Sequence, residues 1–239
     1  KEWIARLSCR IFGGGIDYTG WKPTDIDLLW ERRVVAVDGD MITVDAPVTT
    51  AISAEYGGGK VLLGCNRGKI SNCGVENLTL ESEHGLMSKD EDHCWDGIYM
   101  NEVSDCWVRR IVFEYFAGSA VLLQHHVSRV TVEDCIADHP VSEVGGWRRC
   151  VFLTRGQQTL FQRCISRQGI HDFAAGYVAP GPNAFVQCEA EGALGFSGSI
   201  GSWSPGLLFD VVNIDGSDLK FANLEQQQFG TGWNTANSM

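Results

Sequence analysis

The sequence predicts an all-β solenoid: a parallel β-helix with coils of about 24 residues behind an N-terminal β-hairpin region. Three observations carry that expectation. Short apolar segments recur along the chain, their internal period is two rather than 3.6, and Gly or Asx residues punctuate them. The segments are ISNCGVENLTL from Ile70, VSDCWVRRIVF from Val103, VSRVTVEDCIA from Val127, TLFQRCIS from Thr159, NAFVQCEA from Asn183 and LLFDVVNI from Leu207. With Cys106, Val130, Thr159, Asn183 and Leu207 in one register, the steps are 24, 29, 24 and 24 residues, and the step from Cys73 to Cys106 is 33. A repeat with occasional inserts reads as stacked coils carrying loops of variable length.

The elements follow in order. Residues 1–60 are expected to form a hairpin and loop region capping the solenoid, and residues 61–239 the solenoid itself. RVVAVDGDMITVDAP, from Arg33 to Pro47, reads as a hairpin turning at Asp38-Gly39, while Gly13–Trp21 and Tyr56–Gly59 read as loops. In the repeats, Val130 and Val132 alternate with Thr131 and Glu133, which is strand patterning. A second short strand precedes each repeat segment: GIYM from Gly97, AVLL from Ala120 and CVFL from Cys150. Cys135, Cys164 and Cys188 fall in one column, so the nine cysteines read as a core ladder of small hydrophobes and not as a disulfide framework. Ala236–Met239 begins 29 residues past Leu207, where another coil would start. An open coil end exposes unpaired backbone, so a homo-oligomer contact or a further C-terminal segment is expected to cover it.

Charge narrows the partners. Lys plus Arg number 19 and Asp plus Glu 30, a net charge of -11 that argues against a nucleic-acid partner held by phosphate neutralisation. No run approaches the roughly 18 apolar residues of a membrane helix, so no membrane partner is expected, and no export signal is visible after Lys1. The charge is also uneven. Between Glu81 and Asp105 lie eight acids against Lys89 alone, and Asp90, Asp92 and Asp96 there are candidate Ca²⁺ ligands. From Val144 to His171 no acid occurs, yet Arg148, Arg149, Arg155, Arg163 and Arg167 do. Their planar forks suit carboxylates, so this island reads either as a face for an anionic glycan or as solvated arginines paired with acids from neighbouring coils.

The VDGDMITVDAP hairpin, followed by Gly/Asn-rich coils with VENLTL-like and VEDC-like strands, resembles the pectate-lyase-like superfamily of single-stranded, right-handed parallel β-helices over roughly residues 30–235. That superfamily spans lyases, hydrolases, epimerases, tailspikes and adhesins, so the resemblance bears on architecture more than on chemistry. It implies a carbohydrate-active, exported protein, extracellular or periplasmic, acting on a polysaccharide or oligosaccharide.

Candidate catalytic residues are His125, Glu143, Arg148, His171 and Asp172, with Trp95, Asn101, His126, Trp147, Arg149 and Arg155 as glycan contacts. A shift of 24 or 29 places Asn101, His125, Thr154 and Val178 in one column, and Glu102, His126 and Arg155 in the next, with His125 facing outward. In a lyase acting on a uronate, His125 or His171 would remove the proton α to the carboxylate while Arg148 or Arg149 neutralises it, with or without Ca²⁺. The resemblance also admits an arginine as base, a part open to Arg155. In a hydrolase, Glu143 and Asp172 would form the carboxylate pair. A non-catalytic glycan-binding or structural β-helix is the remaining expectation.

Overall fold

The computed structural model describes residues 27–64, 68–146, 148–201, 203–222 and 235–239. β1 (Val34–Asp38) and β2 (Met41–Val44) pair antiparallel as the expected hairpin. Asp38 faces Met41, so the two-residue loop is Gly39-Asp40, one position later than the sequence suggested. Gly39 opens it at φ +58°, a left-handed conformation that glycine alone adopts without penalty. Arg32 then ties this region to the rest, donating to Gln157 Oε1 at 2.8 Å and to Gly181 O at 2.9 Å. The Gly13–Trp21 loop lies outside the described residues.

The remaining strands are parallel. β3 (Ile70–Ser71) and β4 (Gly74–Glu81) both lie against β6 (Val103–Glu114), and β5 (Ile98–Met100) against β7 (Val121–Leu123). The chain then continues through β8 (Ser128–Glu133), β9 (Ile136–Asp138), β10 (Cys150–Thr154), β11 (Thr159–Gln162) and β12 (Ile165–Arg167). It closes with β13 (His171–Gly176), β14 (Asn183–Val186), β15 (Glu189–Glu191), β16 (Ser197–Ile200), β17 (Leu207–Asp210), β18 (Asn213–Ile214) and β19 (Leu219–Lys220). From β7 onward each strand pairs with the strand three elements later. Two large parallel sheets result: a narrow one of six strands, β19-β16-β13-β10-β7-β5, and a wide one of eleven, in which β17-β14-β11-β8 and β9-β12-β15-β18 join through β6. The protein is all-β, with stacked parallel sheets compatible with a parallel β-helix or solenoid. Among the described residues no helix is long and apolar enough to cross a membrane.

In the wide sheet the aligned repeat residues are hydrogen-bonded register partners. Cys106 pairs with Val130, Thr159 with Asn183, and Asn183 with Leu207. Their alternation buries one side of each strand: Phe161 and Phe185 stack at 4.9 Å, and Phe185 and Phe209 at 4.7 Å. Phe152 and Phe173 of the narrow sheet stack at 5.6 Å across the same core. Each buried phenylalanine contributes roughly 1.5–3 kcal/mol by leaving water. Cys135, Cys164 and Cys188 form the buried column beside them, and burial holds the Cys164 thiol well above the usual range.

The corners repeat as regularly as the strands. Asn77, Arg110, Asp134, Arg163, Gln187 and Val211 are successive register neighbours, and all take φ between 51° and 59°. A non-glycine residue held there costs on the order of 1 kcal/mol, so the bend persists because the layers on either side impose it. In the narrow sheet, Leu122, Leu153 and Ala174 are register partners 31 and 21 residues apart. The changes in length sit in its connections: residues 139–149 precede β10, whereas only residues 168–170 precede β13. A constant step therefore misplaces this sheet. Thr154 lies beside Leu123, not His125, and next to Ala175, not Val178.

Candidate functional site

The arginine island does not form one face. Arg163 holds Asp134 with Nε to Oδ1 at 2.6 Å and reaches Glu133 at 3.0 Å. Arg167 bridges Glu191 at 2.7 Å and Asp138 at 2.8 Å. Arg148 forks onto Glu91 and lies 5.5 Å over the Trp95 ring, and its hydrogen bonds hold the Glu91 carboxyl below its usual range. Arg149 turns inward, where it is buried and donates to Ser142 Oγ at 3.0 Å and Ser142 O at 2.9 Å. Arg148, Arg163 and Arg167 are thus paired with acids, as the second reading of the island had it, whereas the burial of Arg149 fits neither reading.

Arg155 differs. It follows β10, and its guanidinium carbon sits 4.7 Å over the Tyr177 ring. Its Nε is buried without a hydrogen bond, and NH1 meets only Gln124 Oε1, at 3.5 Å. Among the described residues it has no ion pair. A guanidinium positioned by an aromatic ring, with its fork not taken by a carboxylate, can receive an anion bidentately.

The neighbours of Arg155 come from the carboxyl ends of the adjacent narrow-sheet strands, Gln124 and His125 after β7 and Tyr177 after β13, and Gly201 after β16 lies against Tyr177 in turn. Below them lies a second buried apolar cluster, separate from the phenylalanine core, of Leu122, Cys150, Leu153, Ala174, Phe196 and Ile200, with Tyr177 packed on it. Small residues make room for the ring. A Cβ on Gly201, whose φ is +66°, would sit 2.3 Å from Tyr177, so that position admits only glycine while the ring stays in place. Burial raises the Tyr177 phenol above its usual range and pushes the Cys150 thiol up to about 12, so both remain protonated at neutral pH.

His125 touches the same tyrosine. Its Nε2 lies 2.6 Å from Tyr177 O, and a carbonyl oxygen only accepts, so Nε2 carries the proton and Nδ1 keeps its lone pair. The residue is exposed, but desolvation of its ring first, and then the charge of Arg155, lower its pKa, which favours a neutral imidazole beside a cation. His171 is the mirror case, at the opposite end of the strands. It begins β13 instead of lying in a turn, Nδ1 donates to Phe196 O at 2.7 Å, and burial lowers its pKa. The two histidines occupy opposite ends of one outer face.

The other candidates go elsewhere. Asp172 is fully buried, accepting from Ser166 Oγ at 2.6 Å and Gly169 N at 3.1 Å, and burial raises its pKa. Glu143 is exposed and paired to Lys89 at 2.9 Å, so the suggested Glu143/Asp172 pair does not face a common groove. Asn101 and His126 are exposed, with His126 Nδ1 4.0 Å from Glu102. Trp95 donates to Glu91 O at 3.2 Å, and Trp147 lies outside the described residues. Asp90 accepts from Gly85 N and Asp92 N, and Asp96 from Ser119 N at 2.9 Å. Those carboxylates serve backbone amides separately, and among the described residues no group of three or more His, Cys, Asp or Glu could hold a metal.

Sequence reasoning passed over Tyr177, Gln124 and Cys150. One signal for Tyr177 was present: Gly201, one 24-residue step further on, is a small residue that leaves space for the large ring. No family model matches this chain, and no curated protein or solved structure matches it.

Proposed function

We propose that the protein is a carbohydrate-active enzyme that cleaves an acidic, uronate-containing polysaccharide by β-elimination, and that the strands coil as a single-stranded, right-handed β-helix of the pectate-lyase-like kind. The observation that carries this reading is the pairing of a guanidinium that makes no ion pair among the described residues with an imidazole of lowered pKa around one tyrosine. Arg155 takes the uronate carboxylate and stabilises the enolate-like charge as it develops. His125 Nδ1 removes the proton α to that carboxylate, and the resulting imidazolium is the acid at hand for the departing glycosidic oxygen. Tyr177 fixes both groups and offers its surface beside the sugar. The part once open to Arg148 or Arg149 passes to Arg155. Such a substrate places the protein in an extracellular or periplasmic setting.

Incubation with pectate, alginate and glycosaminoglycan panels tests the reading. The expected result is rising ultraviolet absorbance from the unsaturated product on at least one acidic glycan. Binding without that absorbance would leave a glycan-binding module in place of the enzyme. Reducing ends released without it would indicate hydrolysis, and either result ends the lyase proposal.

A further inference from the structure

The edge of the wide sheet carries a pair of thiols that the glycan reading does not use. Cys73 joins β3 to β4 and lies directly opposite Cys106 of β6: Asn72 N donates to Asp105 O at 3.1 Å, and Trp107 N to Cys73 O at 3.2 Å. The two Sγ atoms are 3.7 Å apart. Cys73 is exposed and Cys106 is buried behind it, its thiol directed to Ser104 O at 3.2 Å. Opposed residues on neighbouring strands stand about 4.8 Å apart, inside the roughly 4.4–6.8 Å Cα separation that disulfides span. The other described cysteines differ. Cys135, Cys150, Cys164 and Cys188 are buried, and exposed Cys94 has no sulfur neighbour among the described residues.

We propose that Cys73 and Cys106 form a reactive dithiol site for low-molecular-weight disulfides, which close it into an intrachain disulfide stapling β3 and β4 onto β6. Cys73 is the entry thiol because only it meets solvent. Its thiolate attacks one sulfur of the reagent, the reagent's S–S bond breaks, and one small thiolate leaves. Cys106 then gives its proton to solvent, its sulfur attacks the Cys73 sulfur of the mixed disulfide, and the second small thiolate leaves. Two cysteine thiols are oxidised, one small disulfide is reduced to two thiols, and the protein loses two hydrogens. The Cys106 thiol beside it raises the Cys73 pKa, which lowers the thiolate fraction at neutral pH and moves efficient closure to the alkaline side. The staple closes a loop between cysteines 33 positions apart in the unfolded chain, and stability rises with it.

The experiment treats the reduced, full chain with excess oxidised glutathione at mildly alkaline pH, blocks remaining thiols with iodoacetamide, and follows non-reducing peptide mapping and thermal melting. The expected result is a Cys73–Cys106 linked peptide and a higher Tm, while Cys94 carries only a glutathione adduct. Cys73→Ser, a surface change, should melt like the untreated wild type and gain neither the link nor the Tm rise. A glutathione adduct that persists on Cys73, an unreacted Cys73, or a link joining other cysteines overturns the proposal. None of these readouts involves glycan turnover, so a failure of the lyase reading leaves this test intact.

Discussion

The outer faces of the wide and narrow sheets are built on opposite principles. The wide sheet is laced with arginine–carboxylate pairs across its strands: Arg129 with Asp105, Arg163 with Asp134, and Arg167 with Asp138 and Glu191. Each of these charges is met by a neighbouring layer. The narrow sheet carries a buried apolar cluster with Tyr177 packed on it, and beside it a guanidinium that makes no ion pair among the described residues and an imidazole of lowered pKa. Positive charge alone therefore does not mark a binding face. What distinguishes Arg155 from Arg163 is whether a described carboxylate is hydrogen-bonded to the guanidinium.

The sharpest way to break that comparison is to remove the base. His125→Ala should lower the initial rate of unsaturated-product formation by about 10³-fold, within the usual span for general-base removal. If the loss falls on His171→Ala instead, the base belongs at the other end of the strands. Arg155→Ala comes next, with an expected loss of about 10²-fold in kcat/KM, because one charge-stabilising group worth a few kcal/mol is gone. Arg155→Lys should recover only part of it, since an ammonium keeps the charge and loses the fork. A full recovery would mean that bidentate contact is not used.

The pH dependence sharpens the same contrast. With its pKa lowered by burial, His125 is a free base at pH values where an ordinary histidine is already protonated. The acid limb of kcat/KM should therefore have its midpoint below the usual value of about 6.5. A midpoint at or above that value contradicts the assigned base. Stability offers a second titration. Asp172 has a raised pKa, so its contribution to stability is full below about pH 3.9, where the unfolded carboxyl is also protonated, and is lost as pH rises through the folded value. Asp172→Asn should remove that loss and raise Tm by a few degrees at pH 7, with no gain at pH 3. An equal shift at both pH values would show that packing, not charge, sets the effect.

Much of this contrast was legible in the chain. The wide sheet could be aligned because its corners are single left-handed residues of fixed length, so Cys106, Val130, Thr159, Asn183 and Leu207 kept one step pattern. Applying the same steps to charges would also have paired Arg163 with Asp134 and Arg167 with Asp138 and Glu191. The narrow sheet resisted because residues 139–149 and 168–170 change length between its strands, which moved Arg155 beside Gln124 and out of the predicted column. Asp172 was illegible for a different reason. An aspartate in a repeat reads as outward, and only the Ser166 hydroxyl and Gly169 amide make an inward one tolerable.

The smallest expected effect is the most discriminating about the wide sheet. Arg163 is exposed and holds Asp134 and Glu133 in a geometry with good hydrogen bonds, yet exposed pairs contribute little because water solvates the separated charges nearly as well. Arg163 also occupies a left-handed corner, at φ +51°, that its neighbours impose. Two substitutions separate these roles. Arg163→Ala removes the pair and keeps a Cβ in the strained conformation, so Tm should move by no more than about 2 °C and glycan turnover should stay within about twofold of wild type. Arg163→Gly removes the pair and relieves the backbone, and should melt above the alanine variant. If Arg163→Ala instead loses activity to the same degree as Arg155→Ala, the charge ladder is part of the glycan face, and the division between the two sheets fails.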